Sequence, residues 1–218
     1  VGDVRDKDRL QLAMRNVDIV FHAAAMKHID ICEQNPFDAV KTNVIGTSNI
    51  LELSIMENVS KVIFISTDKA TNPSSTLGAS KLLAERLTLD ASSYTGENKT
   101  VFAIVRFGNV LGSRGSVFQI FQKQILTNNP LTVTDERMTR FIMSISDASK
   151  MILKVTNIAK DGEIFILKMP SVKIEELAKG MLNVFKKKFP NHRITNKIKI
   201  LKSRERERFD EFLITNEE

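Results

Sequence analysis

At 218 residues the chain fits one large domain or one and a half, enough to bury a real core. Its 32 basic against 26 acidic residues leave a charge of +6, which suits a solvated basic surface or a diphosphate ligand; with one Tyr and no Trp, the basic residues lack the interleaved aromatics on which nucleic acid stacks. The lone Cys32 excludes an internal disulfide and points to a reducing, cytoplasmic setting, and neither a signal peptide nor an apolar run near the roughly 20 residues of a membrane helix is found.

The chain opens on GDVRD with no strand before it, which reads as a beginning in mid-domain. Asp3 is expected to cap a helix starting near Lys7. Residues 17–25, VDIVFHAAA, read as a buried strand ending in Ala23, Ala24 and Ala25, small enough for a flat ligand or a tightly packed helix. His22, His28 and His192 fit no zinc spacing, so no metal site is expected. Asn35-Pro36 starts a long helix through Glu57, inside which Gly46 marks close packing.

Residues 62–65 are an unbroken β-branched and aromatic run, the pattern of a strand covered on both faces in a parallel sheet. Ser66, Thr67, Asp68 and Lys69 follow at its carboxyl end, the edge that faces the ligand crevice in open α/β sheets. A hydroxyl, a carboxylate and an amine in sequence there are placed for proton transfer. Asn72-Pro73 turns the chain, Ser74 or Ser75 caps the next helix, and Leu77 and Lys81 share one face of it. That helix runs to about Tyr94, with Gly96 as its stop.

Residues 101–106 form the next strand, and Gly108, Gly112 and Gly115 follow it before a helix from about Ser116 to Leu126. Three glycines between strand and helix invite a dinucleotide reading, but their spacing is wrong, and Gln122, Lys123 and Gln124 continue a helix toward where an acidic strand end belongs. The better reading is a substrate-facing loop whose backbone N–H groups approach a sugar or phosphate. From Leu131 the elements shorten: LTVTD, MTRFIMSISDA, a helix over 148–158, then GEIFILKMPS. Arg140 reads as an anion or sugar contact, or as a surface ion pair with Asp135 or Glu136. Lys186 to Lys188 end a helix, where cations suit the dipole.

The stretch STDKATNPSSTLGASK resembles the nucleotide-sugar dehydratases of the polysaccharide-biosynthesis (CapD-like) branch of the extended short-chain dehydrogenase/reductases, the UDP-N-acetylglucosamine 4,6-dehydratases. Their pattern is STDKA-x-NP followed by a G-A-[ST]-K helix start. Leu77 stands where the superfamily's usual tyrosine would be; some members of the branch carry methionine there. KTNVIGTSNI, AAA-x-KH, FGNVLGSRGSV and PLTVTDERMTRF extend the likeness over nearly the whole chain. It implies a Rossmann-like, doubly wound parallel α/β sheet over residues 1–130, with the section carrying the glycine-rich loop missing, and a smaller, interleaved substrate lobe over 131–218.

The resemblance also implies roles. NAD or NADP, tightly held and regenerated, would meet Asp3, Val4, Ala23, Ala24, Ala25, Lys81 and Val110, and Asn43 would help hold a water near Lys81. A UDP-sugar would meet Lys27, Asn109, Arg140, Arg204 and Glu207, the last two in a tail where Glu205 and Arg206 replace the family's Pro-Gly. Thr67 would bind the C4 hydroxyl, Asp68 would protonate the departing C6 hydroxyl, and Lys69 would take the C5 proton, helped by burial and the nearby Lys81 charge. A homo-oligomer is expected. A sugar epimerase on the same scaffold and a non-catalytic fragment that binds no cofactor are the alternatives.

Overall fold

β-branched runs that alternate with helical segments fold into a parallel sheet in the computed structural model, which describes every residue except 97–99, 192, 193, 196, 202–206, 216 and 217. In chain order the elements are α1 (Lys7–Met14), β1 (Ile19–His22), α2 (Ile29–Gln34), α3 (Pro36–Val40), a π-turn (Lys41–Ile45), α4 (Gly46–Met56), β2 (Lys61–Thr67), a 3-10 turn (Asp68–Ala70) and α5 (Thr76–Asp90). A second 3-10 turn (Ala91–Tyr94) leads to β3 (Val101–Phe107), β4 (Asn109–Val110), α6 (Val117–Leu126), β5 (Leu131–Val133) and β6 (Thr139–Met143). Then come α7 (Ile145–Ile158), β7 (Glu163–Ile166), β8 (Ser171–Lys173), α8 (Ile174–Lys188) and β9 (Ile198–Ile200).

The chain divides into two compact units: Val1–Phe107 with Lys150–Leu167 and Phe212–Glu218, and Gly108–Ser149 with Lys168–Glu211. The division therefore falls at Phe107, earlier than the expected residue 130. β7, assigned to the smaller lobe on sequence, joins the first unit because Ile164 and Phe165 pair in register with Ile104 and Val105.

The first unit holds a wholly parallel sheet in the order β1-β2-β3-β7. Val62 pairs with Val20 and Phe102, and Phe64 with His22 and Ile104, so these residues share one face. Val62 and Phe102 pack with Ile50, Leu51 and Leu53 of α4, and Phe64 and Ile104 with Ala84 of α5. Ile63, Ala103 and Val105 on the opposite face are fully buried as well, which is why the strands read as continuous apolar runs. Each such Val, Leu, Ile or Phe side chain contributes about 1.5–3 kcal/mol by burial.

Several local expectations change. Asp6, not Asp3, caps α1, its carboxylate accepting from Arg9 N at 3.0 Å. The Asp3 carboxylate is instead taken by the Arg5 amide and guanidinium, which hold its pKa down to about 2. β1 stops at His22, its last partner on β2 being Phe64, so the three alanines lie beyond the strand. The long helix from Pro36 runs to Met56 but contains the π-turn, and α2 precedes it. Close packing at Gly46 is as expected: a Cβ there would sit 2.6 Å from Val4 Cγ2.

In the second unit β4 runs parallel to β6, β6 antiparallel to β8, and β5 parallel to β9. Phe121 and Ile125 of α6, Leu131 and Val133 of β5, and Ala178, Met181 and Leu182 of α8 form its core. Ile120 and Leu126 of α6 are about half exposed.

Candidate active site

β2 delivers Ser66 and Thr67 to the carboxyl edge of the parallel sheet, and the backbone then tightens at once into the 3-10 turn. Thr67 is the cap of that turn, its Oγ1 accepting from Lys69 N at 3.4 Å and donating to Asp68 Oδ1 at 2.9 Å. Lys69 Nζ donates to the same Oδ1 at 2.8 Å. Asp68 is 0% exposed, whereas the Lys69 side chain keeps 20% of its surface. The other carboxylate oxygen, Oδ2, is buried without a hydrogen-bond partner among the described residues. Leaving a buried carboxylate oxygen unsatisfied costs about 1–3 kcal/mol or more, and such orphans concentrate where a ligand or proton completes them.

α5 presses against this turn. Ser75 caps it, accepting from Gly78 N at 3.2 Å, and Glu33 of α2 takes the Thr76 amide at 2.6 Å. A Cβ on Gly78 would collide with the Lys69 carbonyl oxygen and lie 2.9 Å from Pro73 Cβ, so only glycine lets the helix come this close. One turn on, Lys81 is buried; its Nζ donates to Ile65 O at 2.8 Å and sits 4.5 Å from the Phe64 ring centre. Burial pushes its amine down to about 8, with Glu85 pulling the other way. Leu77 points into a cluster with Cys32 and Ala39, packed by Met26 and Ile29, so this position offers no proton-transfer group.

Asn43 lies in the π-turn, 1% exposed. Its Oδ1 accepts from Met26 N at 2.8 Å, and its Nδ2 donates to Met26 O at 3.1 Å and to Ser80 Oγ at 3.0 Å. The carboxamide expected to help hold a water is thus committed to protein groups. Ala23 and Ala24 are exposed and Ala25 half-buried in the segment between β1 and α2, where Lys27 and His28 are also exposed. Val4 is half-buried, and its carbonyl accepts from Asn49 at 3.0 Å. The small exposed alanines and the buried Lys81 amine suit a flat nicotinamide and its ribose.

In the second unit Asn109 and Val110 form β4, half-buried and paired with Ile142 and Met143. Gly108 lies hard against Phe141, and Gly112 and Gly115 adopt positive φ in the turns that follow. Arg140 is buried, and its guanidinium donates to the carbonyls of Thr139, Arg208 and Phe209 and to Glu207 Oε1 at 3.4 Å. Asp135 pairs with Arg137, not with Arg140. Arg204 lies outside the described residues. Two residues near Lys81 were not singled out from the sequence: Ser80, which fills the [ST] place of the G-A-[ST]-K helix start and accepts from Asn43, and Glu85, one turn after Lys81, which pairs with the buried Arg106 at 2.7 Å.

The family described as polysaccharide biosynthesis protein matches residues 1–218. A protein of Methanocaldococcus jannaschii described as an uncharacterized membrane protein is 54% identical over the whole chain, which spans 66% of it. A UDP-N-acetylglucosamine 4,6-dehydratase (inverting) of Campylobacter jejuni is 47% identical over 83% of this chain and 54% of its own length. A UDP-glucose 4-epimerase of Rickettsia bellii is 41% identical over the whole chain and 62% of its own length. The solved structure of Pen from Bacillus thuringiensis superimposes with a TM-score of 0.94 at 44% identity, covering all of this chain and 66% of that one. The chain thus spans between about half and two thirds of these relatives, and its fold is the Rossmann-like α/β architecture of that group. Among the described residues no helix is long and apolar enough to cross a membrane.

Proposed function

Since the chain belongs to the polysaccharide biosynthesis protein family, we propose that the protein it represents is a nucleotide-sugar 4,6-dehydratase acting on UDP-N-acetylglucosamine with NAD or NADP. The observation that carries this reading is the buried Asp68 carboxylate, one oxygen shared by Thr67 and Lys69 and the other left open, at the carboxyl edge of β2. The 47% identical dehydratase supports the substrate and the reaction.

Asp3, Val4, Ala23, Ala24, Ala25, Lys81 and Val110 are the residues proposed to hold the dinucleotide. When bound, the dinucleotide supplies reversible hydride exchange with the sugar, so the overall reaction has no net redox change. The order of events follows from acidity. A sugar C5 proton is too weakly acidic to remove until C4 is a ketone, so elimination waits for that carbonyl. Thr67 Oγ1 then hydrogen-bonds the C4 oxygen, Lys69 Nζ removes the C5 proton, and Asp68 gives a proton to the C6 hydroxyl, which departs as water. The proton gained at Lys69 goes back to C5 when C6 is reduced, and the proton lost from the C4 hydroxyl makes good the one spent at Asp68, the 2.8 Å Asp68–Lys69 contact being a direct path between the two groups. With Leu77 in the apolar cluster, Thr67, Lys69 or a water remains to deprotonate the C4 hydroxyl.

Lys27 and Asn109 are proposed as substrate contacts. The Arg140 guanidinium is held by the carbonyls of Thr139, Arg208 and Phe209 and by Glu207 Oε1, so a ligand role for it requires some of those bonds to open, whereas Glu207 Oε2 is buried without a partner among the described residues. Arg204 stays a proposed contact on resemblance alone. The test is mass spectrometry of UDP-N-acetylglucosamine incubated with the full-length protein. A product lighter by one water, abolished by Lys69→Ala, supports the dehydratase. A product of unchanged mass with altered stereochemistry favours the epimerase reading, which the 41% identical relative supports.

A further inference from the structure

A buried string of side chains runs behind the lysine-bearing turn of α5. Ser80 Oγ donates to Leu77 O at 2.9 Å and accepts from Asn43 Nδ2 at 3.0 Å. Asn43 clamps both backbone groups of Met26. Thr47 Oγ1 donates to Asn43 O at 2.7 Å and meets His22 Nε2 at 2.9 Å. A hydroxyl has one proton, and Thr47 gives it to Asn43, so His22 Nε2 must be the donor in the second contact. The ring is therefore the neutral Nε2–H tautomer, and burial, with the Lys81 charge, pushes His22 down to about 3. His22, Asn43, Thr47 and Ser80 are all buried.

The π-turn makes this string possible. In it the Gly46 N–H reaches back five residues to Lys41 O, Asn43 lies within the widened turn, and such turns recur at functional sites. The Thr47 hydroxyl covers the Asn43 carbonyl while the Asn43 side chain reaches α5. Fully satisfied buried networks of this kind fix one geometry, because any member displaced leaves a partner unpaired in a dry interior.

We propose that Ser80, backed by Asn43, Thr47 and His22, is a positioning residue that ties the α5 turn bearing Lys81 to the segment following β1. Ser80 touches no reacting atom. It fixes the helix whose Lys81 amine must lie on Ile65 O, over Phe64. The functional weight of this arrangement rests on the role proposed above for Lys81; the geometric claim does not.

Two readouts on the full-length protein separate the claims: the titration of Lys81, followed by lysine-ε carbon NMR and assigned with Lys81→Arg, and the kinetics of UDP-N-acetylglucosamine dehydration. Ser80→Ala slackens the turn and admits water, so Lys81 should rise from about 8 by roughly half a unit or more, while Ser80→Thr, which keeps the hydroxyl, restores the value. The same Ala variant should lose about tenfold or more in kcat with KM for the sugar little changed. Wild-type titration and kcat in Ser80→Ala would overturn the proposal. If Ser80→Ala does not fold, Thr47→Val, which removes the hydroxyl at equal volume, takes its place, with Thr47→Ser as its rescue. A wild-type protein that dehydrates nothing, but whose Lys81 titration still follows the Ser80 hydroxyl, overturns the dehydratase reading and leaves the positioning role standing.

Discussion

Residue identity set what could be read at the site, and side-chain direction set what could not. The order Thr-Asp-Lys after a buried strand was legible, because β-branched runs and turn residues have strong local preferences. That Asp68 turns wholly inward while Lys69 keeps a fifth of its surface follows only from the 3-10 turn, which no spacing announces. Asp68→Asn and Lys69→Ala are each expected to lower turnover by about 10²–10⁴-fold, since each removes one proton-transfer partner; steady-state assays of the full-length protein check this. His22 sets a pH limit. Its folded pKa of about 3 lies below the ordinary 6.5, so between those values the unfolded chain binds more protons. Its contribution is complete above about 6.5 and is lost as pH falls through that window toward 3, by roughly 5 kcal/mol at most. Urea denaturation at pH 7 and pH 4 should show that loss, and a folded His22→Gln variant should show a flatter profile.

At the scale of elements, β2, α5 and β3 were readable because each satisfies its own periodicity. The end of β1 was not: Ala23 to Ala25 are as apolar as a strand, but no partner residues on β2 extend the pairing past His22. The π-turn was hidden because one added residue shifts the helical period without changing composition. β7 was misplaced because its partner, β3, is remote in sequence, and local pattern carries no information about that pairing. The contact between α5 and the 3-10 turn gives a sharp prediction. Gly78→Ala puts a methyl group against the Lys69 carbonyl, a backbone atom that cannot swing aside. The expected cost is about 1–3 kcal/mol in denaturant melts, with a loss of turnover larger than the stability change explains, because the displaced turn carries Asp68 and Lys69.

Across the whole chain, the first unit is assembled from three separate stretches, 1–107, 150–167 and 212–218. Arg106 joins the first to the last: it pairs with Glu85 at 2.7 Å and Glu218 at 2.6 Å and donates to Leu213 O at 3.0 Å. Removing residues 212–218 takes away one of its two carboxylates. Glu85 remains and Glu218 is partly exposed, so the expected loss is about 1–2 kcal/mol, less than for breaking a fully buried pair. Comparing urea midpoints with and without those residues measures it. The sequence showed Arg106 only as a strand residue; the fold reveals that Glu218, remote in sequence, serves the sheet through it.

That discontinuity matters while the polypeptide is being made. Strand β3 leaves the ribosome long before its flanking partner β7, so one side of an apolar parallel ribbon waits unpaired through the synthesis of the 55 intervening residues. Nascent protein halted in that interval is expected to draw on chaperones far more than protein halted just beyond Ile166, and the productive shape can be reached only after β7 itself has been made.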